Sequence, residues 1–353
     1  MRDHVRIAVT GATGNVGTAV LRALPEADLT GVVRRPPADA GGVRWVACDL
    51  AEAGATARLT EVFAGVEAVV HLAWGFQPGR DDARLRATAV DGTRHVAEAV
   101  VAAGVPHLVH LSSVGAYAPR TSLDPVDESW PTTGVPGSAY SRDKADVERL
   151  LDDVERAHPD LRVARLRPGL VGQRSAGSAL LRYALPALVP SAAVRLLPVL
   201  PMDRGTVLPV IHADDVADAV RRVLEQGATG AFNLAAPPPV DVHDLARALG
   251  ARHVHVPAAA LRAAAGLAWT ARLSRLDPGW LDLAHAVPLM DTGRAERELG
   301  WRPAVSATDA LAEAVAGMTE APDGGTPVLR PRSVLAEARR LVTGRTTSRR
   351  DRP

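Results

Sequence analysis

The chain has very few thiols, lysines and aromatic rings. Its single cysteine, Cys48, cannot form an intramolecular disulfide, which suits a reducing compartment. The 353 residues include 41 basic and 40 acidic ones, so the formal net charge is +1 and no bulk charge selects nucleic acid. Of the 41 basic residues, 40 are arginine and one, Lys144, is lysine. A general preference for arginine does not explain why one lysine remains.

Long apolar runs are also missing. The most apolar segments, residues 179–202 and 257–273, are interrupted by arginines and prolines, so neither offers the roughly 18 uncharged residues of a membrane-spanning helix. The N-terminus leads directly into a short strand pattern without the apolar core of a signal peptide. We therefore expect a cytoplasmic protein with no membrane and no nucleic-acid partner.

Short β-type segments alternate with longer helical patterns in the first half of the chain, which is typical of βαβ units. We predict an α/β fold: a doubly wound parallel sheet (Rossmann fold) with a smaller C-terminal substrate lobe. Residues 1–168 form the dinucleotide-binding domain, and residues 205–235 cross back to it. The lobe contains residues 169–204 and 236–322. The predicted strands are 5–10, 29–34, 43–47, 68–72, 106–112 and 162–167, and the long helices are 84–103 and 138–158.

Residues 323–353 differ in composition from the rest of the chain. From Gly324 onward this segment has eight arginines against Glu337 and Asp351, a net charge of +6. It contains no aromatic residue, whereas nucleic-acid interfaces combine basic residues with aromatic ones. We expect a basic, flexible tail. Elsewhere, His253 and His255 could share one face of a strand, but no third ligand is evident, so we expect no metal site.

A glycine-rich loop lies between the first predicted strand and the first helix, Thr10-Gly11-Ala12-Thr13-Gly14-Asn15-Val16-Gly17. Glycines at this spacing allow a tight turn, a close approach of backbone N–H groups to a pyrophosphate, and packing of the helix on the sheet. The position between strand and helix makes the pattern specific. The predicted dinucleotide-binding residues of this loop are Gly11, Thr13, Gly14, Asn15, Val16 and Gly17.

The end of the second predicted strand bears on the choice of cofactor. It reads Val33-Arg34-Arg35, with no carboxylate to accept hydrogen bonds from the adenosine ribose hydroxyls. Two guanidinium groups instead suit a 2′-phosphate, so Arg34 and Arg35 favour NADP, with NAD as the alternative. The other interpretation is that both are surface arginines of an arginine-rich chain.

The sole lysine lies four residues after Tyr140 in a helical pattern, so the ammonium and the phenol share one helix face. A tyrosine has a pKa near 10, and a nearby positive charge favours its phenolate form, which makes it a better proton relay. Ser112 and Ser113 end the fifth strand, where ligands of doubly wound folds bind. One of these hydroxyls could orient a substrate oxygen towards Tyr140. The alternatives are turn-forming serines and a surface Tyr and Lys.

Together, these residues resemble the extended, NAD-dependent epimerase/dehydratase-like branch of the short-chain dehydrogenase/reductase superfamily, over about residues 5–320. The resemblance implies that Ser113, Tyr140 and Lys144 are the catalytic residues and that Tyr140 and Lys144 also contact the cofactor. It also implies a homodimer formed through the two long helices. Further cofactor contacts implied by the likeness are Asp49, Leu50, Leu72, Ala73, Trp74, Pro168 and Leu170.

Two departures from the branch concern the substrate. Ala89 stands where the branch often has an asparagine that shapes the site. Pro168-Gly169 stands where many nucleotide-sugar members have an asparagine, which argues against a nucleotide sugar. We expect an NAD(P)-dependent oxidoreductase or epimerase acting at a carbinol or carbonyl carbon of a small molecule. The alternative is a non-catalytic NADP-sensing or protein-interaction protein.

Overall fold

The computed structural model describes residues 5–38, 41–75, 81–177, 198–271, 277–320, 326 and 329. Its strands are β1 (Arg6–Thr10), β2 (Asp28–Val33), β3 (Arg44–Ala47), β4 (Ala68–His71), β5 (His107–Leu111), β6 (Arg162–Pro168), β7 (Leu170–Gly172), β8 (Val199–Met202), β9 (Val207–His212), β10 (Gly230–Leu234), β11 (Ala236–Asp241) and β12 (Arg252–His255).

The α-helices are α1 (Asn15–Ala23), α2 (Ala55–Phe63), α3 (Asp82–Arg86), α4 (Gly92–Ala102), α5 (Ala139–Ala157), α6 (Ala213–Gln226), α7 (Val242–Leu249), α8 (Ala258–Thr270), α9 (Gly279–Ala286), α10 (Gly293–Leu299) and α11 (Ala307–Glu320). A π-helical turn, Ala87–Asp91, joins α3 to α4. In the described residues, no helix combines the length and the apolarity needed to cross a membrane.

A parallel seven-stranded sheet in the order β10-β6-β5-β4-β1-β2-β3 forms the centre of the protein. Its inner strands are almost entirely apolar because both faces are covered. One core lies between the sheet and helices α1, α6 and α10, and the other lies between the sheet and α2, α4 and α5. This arrangement confirms the predicted doubly wound fold.

The strand order reverses between β1 and β4, so their carboxyl ends border the crevice in which such folds bind ligands. Beyond β6, the chain forms a three-stranded sheet, β11-β9-β7, and a two-stranded pair, β12-β8. It also returns to the main sheet, because α6 packs on α1 and β10 pairs with β6. The fully buried Trp301 secures α6 by donating from Nε1 to the Asp215 carbonyl at 2.9 Å.

Two helices differ from the sequence prediction. The helix predicted at residues 84–103 begins at Asp82 and is interrupted by the π-helical turn, where the Thr93 hydroxyl hydrogen-bonds the Ala89 carbonyl at 2.5 Å and competes with the regular ladder. Helix α2 was not predicted at all. Its buried residues Leu59 and Phe63 are one helical turn apart, a spacing that could have shown it.

Part of the predicted lobe, residues 178–197, lies outside the described residues, as does the basic tail 323–353 except for Thr326 and Leu329. Of these two, Leu329 is buried, and Thr326 donates a hydrogen bond from Oγ1 to the Thr13 carbonyl at 2.9 Å. The beginning of the tail therefore contacts the glycine loop.

Candidate active site

The glycine loop ends β1 at the crevice and leads directly into α1. Gly11 has a φ of +70°, and a Cβ at this position would lie 2.7 Å from the Ala73 nitrogen and Cα, so both the backbone angle and the space require glycine. Gly14 caps α1 without a side-chain acceptor. The N–H groups of the first turn are therefore free of side-chain caps and are positioned to bind an anion.

The other predicted residues of this loop are held by protein contacts. Asn15 donates from Nδ2 to the Val171 carbonyl at 3.1 Å and accepts from Gln173 Nε2 at 2.7 Å, so its side chain ties α1 to β7. Val16 is buried in the core beneath the loop, and Thr13 is buried as well. Any contact of Asn15 or Val16 with a nucleotide would therefore use the backbone.

The predicted adenosine contacts follow neighbouring strands of the sheet. Arg34 and Arg35 follow β2, where Arg34 is exposed and Arg35 is partly buried. Asp49 follows β3, and its carboxylate accepts a hydrogen bond from the Ala51 N–H at 3.2 Å. Leu50 is buried. Since β2 and β3 are parallel neighbours, all four residues lie at the same edge of the sheet.

A buried hydrogen-bond chain holds the turn that follows β4. Because the Thr93 hydroxyl donates to the Ala89 carbonyl, its oxygen accepts from His71 Nε2 at 2.9 Å. His71 Nδ1 then accepts from the Thr10 hydroxyl at 2.6 Å, and Thr10 Oγ1 accepts from the Ala73 N–H at 3.3 Å. Burial lowers the pKa of His71 to about 3, so the ring is neutral. The chain fixes the backbone at Ala73, beside the glycine loop.

The end of β5 brings together two of the predicted catalytic residues. Ser113 accepts a hydrogen bond from the Gly115 N–H at 3.0 Å and is hydrogen-bonded to Tyr140. A Cβ at Gly115 would lie 2.9 Å from Tyr140 Cε1, so glycine allows the phenol to approach. The Ser141 hydroxyl, at the start of α5, donates to the Gly115 carbonyl at 2.5 Å and docks the helix on this turn. Ser112 is buried, and its hydroxyl donates to Glu148 Oε1 at 2.5 Å.

Lys144 lies one turn further along α5 and is buried. Its Nζ donates to the Leu111 carbonyl at 2.9 Å and lies 3.5 Å from the ring centroid of Trp74 and 6.0 Å from that of Tyr140. Burial lowers the pKa of Lys144 to about 7, and the charge of Glu148 acts in the opposite direction. Near neutral pH, the side chain is therefore poised between amine and ammonium.

The phenol of Tyr140 is enclosed by aromatic side chains. Its ring centroid lies 5.9 Å from that of Trp74 in an edge-on arrangement and 5.0 Å from that of Trp280, which the C-terminal lobe supplies. Burial raises the pKa of Tyr140 to about 12, and the hydrogen bond with Ser113 offsets part of this effect. The sequence predicted that a neighbouring positive charge would favour the phenolate; in the structure, the loss of hydration is the largest effect on this pKa.

The sequence interpretation missed a buried polar network behind Lys144. Glu148 receives hydrogen bonds from Ser112, Arg165 and Arg167, and Arg167 also donates to the Tyr117 hydroxyl at 3.0 Å. The spacing contained a signal, because Glu148 follows Lys144 by four residues just as Lys144 follows Tyr140. The partners on β6 could not be inferred from this spacing.

The last predicted contacts follow β6. Pro168 ends this strand and is buried, whereas Leu170 begins β7 and is 45% exposed. Gly169 between them packs against the Pro209 carbonyl, which leaves no room for a side chain at this position. Within the part of the chain that the structure describes, no group of three His, Cys, Asp or Glu side chains could hold a metal ion.

Comparison with known proteins identifies the family. Residues 7–235 match the profile of the NAD dependent epimerase/dehydratase family. The chain belongs to this family. This result confirms the resemblance drawn from the motifs. A 3-diazoavenalumate denitrifying reductase from a Streptomyces species is 30% identical over 331 residues, covering 85% of this chain and 96% of the reductase.

Two further comparisons concern length and fold. An uncharacterised protein of Mycobacterium tuberculosis is 28% identical over 313 residues; the match covers 87% of this chain, which spans only 29% of that relative's length. A dTDP-glucose 4,6-dehydratase from Streptomyces venezuelae, solved with NAD bound, has a TM-score of 0.67 at 23% identity, covering 92% of this chain and 100% of the dehydratase. This last likeness is one of fold.

The crevice fits the dinucleotide of this epimerase/dehydratase family. Gly14 begins α1 without a side-chain cap, so no side chain occupies the N–H groups of the first turn, where a pyrophosphate would bind. Arg34 follows β2 at the same edge of the sheet and is exposed. Ser113 and Tyr140 lie beyond the carboxyl end of β5, on the other side of the switch point.

The cost of burying Lys144 leads to a prediction for stability. Since its pKa is lowered to about 7, the unfolded chain binds more protons than the folded one between about pH 7 and pH 10, and stability rises with pH over that range. We expect Lys144→Met to unfold at a higher temperature than the wild type below pH 7, with the difference shrinking as the pH rises towards 10. Thermal unfolding followed by circular dichroism at several pH values measures this. A difference that does not change with pH would contradict the prediction.

Proposed function

We propose that the protein is an NAD(P)-dependent oxidoreductase of the epimerase/dehydratase family that acts at a carbonyl or carbinol carbon of a small molecule. One observation carries the proposal. Ser113 and Tyr140 are hydrogen-bonded at the carboxyl end of a central strand, with the buried Lys144 one helical turn away. Two separate elements, the end of β5 and helix α5, thus converge beside the crevice. A protein that only senses the cofactor has no need of this arrangement.

In this proposal each side chain has a defined task. The nicotinamide, when bound, supplies or accepts hydride. In the direction of reduction, the Ser113 hydroxyl orients the carbonyl oxygen and Tyr140 transfers its proton to that oxygen. The pKa of about 12 keeps the phenol protonated at neutral pH, which favours proton donation. Lys144 stabilises the phenolate that this transfer leaves behind and binds the nicotinamide ribose.

The walls of the site favour a compact, apolar substrate. Trp74 and Trp280 flank the Tyr140 ring on two sides. Pro168-Gly169 offers no amide side chain to a diphosphate. The Streptomyces reductase at 30% identity supports net reduction rather than epimerisation of a nucleotide sugar.

Activity is tested directly by the absorbance of the reduced nicotinamide. We would incubate the full chain with NADPH and a panel of small aromatic and aliphatic aldehydes and ketones, and separately with UDP-glucose and NAD. The proposal expects NADPH consumption with at least one aromatic carbonyl compound and none with the nucleotide sugar. Binding of NADPH without turnover of any compound would instead favour a cofactor-sensing protein.

Preference for NADP is a second prediction of the proposal. Replacing both Arg34 and Arg35 by Ala should weaken NADPH binding about tenfold to a hundredfold and leave NADH binding unchanged, because a charge-assisted hydrogen bond contributes about 1.5–3 kcal/mol. Fluorescence titration of both cofactors measures this. Arg44→Ala is the control, because this exposed arginine begins β3 at the opposite edge of the sheet. Tighter binding of NADH than of NADPH by the wild type would contradict the prediction.

A further inference from the structure

A buried carboxylate lies behind the proposed catalytic lysine. Glu148 is 1% exposed and lies one turn after Lys144 on α5. Its Oε1 accepts hydrogen bonds from Ser112 Oγ at 2.5 Å and Arg167 Nε at 2.9 Å. Its Oε2 accepts from Arg167 Nη2 at 2.9 Å and Arg165 Nη1 at 3.1 Å. Both oxygens are thus fully engaged.

The two arginines on β6 carry charges that no physiological pH removes. Both are buried beneath α5. Arg165 has further acidic partners, Asp152 at 2.6 Å and Glu155, on the more exposed side of the helix. For Arg167, the carboxylate that pairs with it among the described residues is that of Glu148. Without Glu148, the buried guanidinium of Arg167 would lose this carboxylate partner.

The other groups that face Lys144 do not supply a negative charge. His71 on β4 has a pKa of about 3, and burial lowers the pKa of His110 on β5 well below its ordinary value, so both rings are neutral at pH 7. The phenol of Tyr140 keeps its proton. On the outer side of α5, Asp143 is paired with Arg86 of α3 at 2.5 Å. Glu148 is therefore the carboxylate that acts on the lysine.

The pKa of Glu148 is consistent with this position. Burial alone would raise the pKa of its carboxyl group, but Arg167, Ser112 and Arg165 hold it at about 2. Glu148 is therefore a permanent anion over the pH range in which Lys144 titrates. Its charge favours the protonated form of Lys144, against the loss of hydration.

We propose that Glu148 is a positioning residue whose carboxylate cancels the charge of Arg165 and Arg167, so that Lys144 keeps its ammonium on the Tyr140 face of α5. The importance of that ammonium for catalysis rests on the function proposed above. The effect of Glu148 on the protonation of Lys144 does not depend on that function, and it can be measured without a substrate.

The single lysine makes the measurement unusually direct. Incorporating ¹³C-labelled lysine into the full chain gives one Cε resonance, that of Lys144, and its chemical shift follows the protonation of the amine. We expect a titration midpoint near pH 7 in the wild type. In Glu148→Gln the midpoint should fall by about one to two pH units, the size expected for removing one buried charge one helical turn away. An unchanged midpoint in a folded Glu148→Gln protein would overturn the proposal.

Three further variants make the result specific. Glu148→Asp keeps the charge and should restore the midpoint to within about half a unit of the wild type. Asp152→Asn makes the same carboxylate-to-amide change at another partner of Arg165 and should leave the midpoint in place. Arg167→Gln removes a positive charge and should raise the midpoint. It also keeps the proposal testable if Glu148→Gln does not fold, because a lowered or unchanged midpoint in Arg167→Gln would contradict the proposal.

The kinetic readout separates this inference from the proposed function. If the midpoint falls in Glu148→Gln and the wild type turns over no carbonyl compound, the effect of Glu148 on Lys144 stands and the oxidoreductase proposal fails. If the enzyme is active, the pH dependence of kcat should shift in the same direction as the lysine midpoint. A shift in the lysine midpoint without a shift in the pH profile would overturn the positioning role.

Discussion

Replacing Tyr140 by Phe should remove most of the turnover while leaving cofactor affinity almost unchanged. The phenol oxygen is hydrogen-bonded to Ser113 and is the proposed proton donor, and loss of a general acid lowers kcat by about 10²–10⁴-fold. The ring itself stays, so its packing between Trp74 and Trp280 is kept. The measurements are the rate of NADPH consumption with a carbonyl compound that the wild type reduces, and the dissociation constant for NADPH.

Tyr117 provides a matched control for this variant. It is fully buried, its hydroxyl donates to Asn233 Oδ1 at 2.6 Å and accepts from Arg167 at 3.0 Å, and it lies in the core beside the site. Tyr117→Phe should therefore lower the free energy of unfolding by about 1–3 kcal/mol and change kcat little. Should Tyr140→Phe retain near wild-type turnover, Tyr140 would not be the proton donor.

Gly11→Ala should both destabilise the fold and weaken cofactor binding. The new Cβ would meet the Ala73 backbone at 2.7 Å, and the φ of +70° is unfavourable for alanine. The backbone angle costs about 1 kcal/mol, and forcing the β4 turn away from the loop costs about 1–3 kcal/mol more. We expect NADPH affinity to fall at least about tenfold as the loop is displaced.

The variant Gly250→Ala separates the cost of the backbone angle from the cost of the steric contact. Gly250 ends α7 with a nearly identical φ of +67°, but nothing lies within 4 Å of its added Cβ. Denaturant unfolding should show a loss of about 1 kcal/mol in Gly250→Ala and a clearly larger loss in Gly11→Ala. Equal losses in the two variants would mean that the contact between the glycine loop and the β4 turn is not tight.

The experiments on Tyr140 and Glu148 test two separate properties of the same site. The first asks whether the phenol performs the chemistry, and the second asks why the neighbouring amine can be charged in a buried position. Both depend on α5, whose start is docked on the β5 turn by Ser141 and whose middle is held to β6 by the Glu148 ion pairs. A site built on one such helix can keep Tyr140 and Lys144 in a fixed relation.

Local sequence was sufficient to predict several parts of this protein. The alternation of apolar strands and helices predicts the doubly wound sheet because each pattern has its own period. The glycine spacing predicts the phosphate loop, since a turn from strand to helix without side chains is required there. Tyr140 and Lys144 are four residues apart, so helical geometry alone places them on one face.

The tertiary structure decided the hydration and the protonation state of these residues. Tyr140 remains a phenol because burial raises its pKa, and one of the rings packed against it, Trp280, is 140 residues away in the chain. The pKa of Lys144 depends on burial and on Glu148, whose carboxylate is paired with arginines of a strand that no local pattern connects to the helix. Sequence spacing determines which groups share a helix face; packing between distant elements determines their hydration and charge.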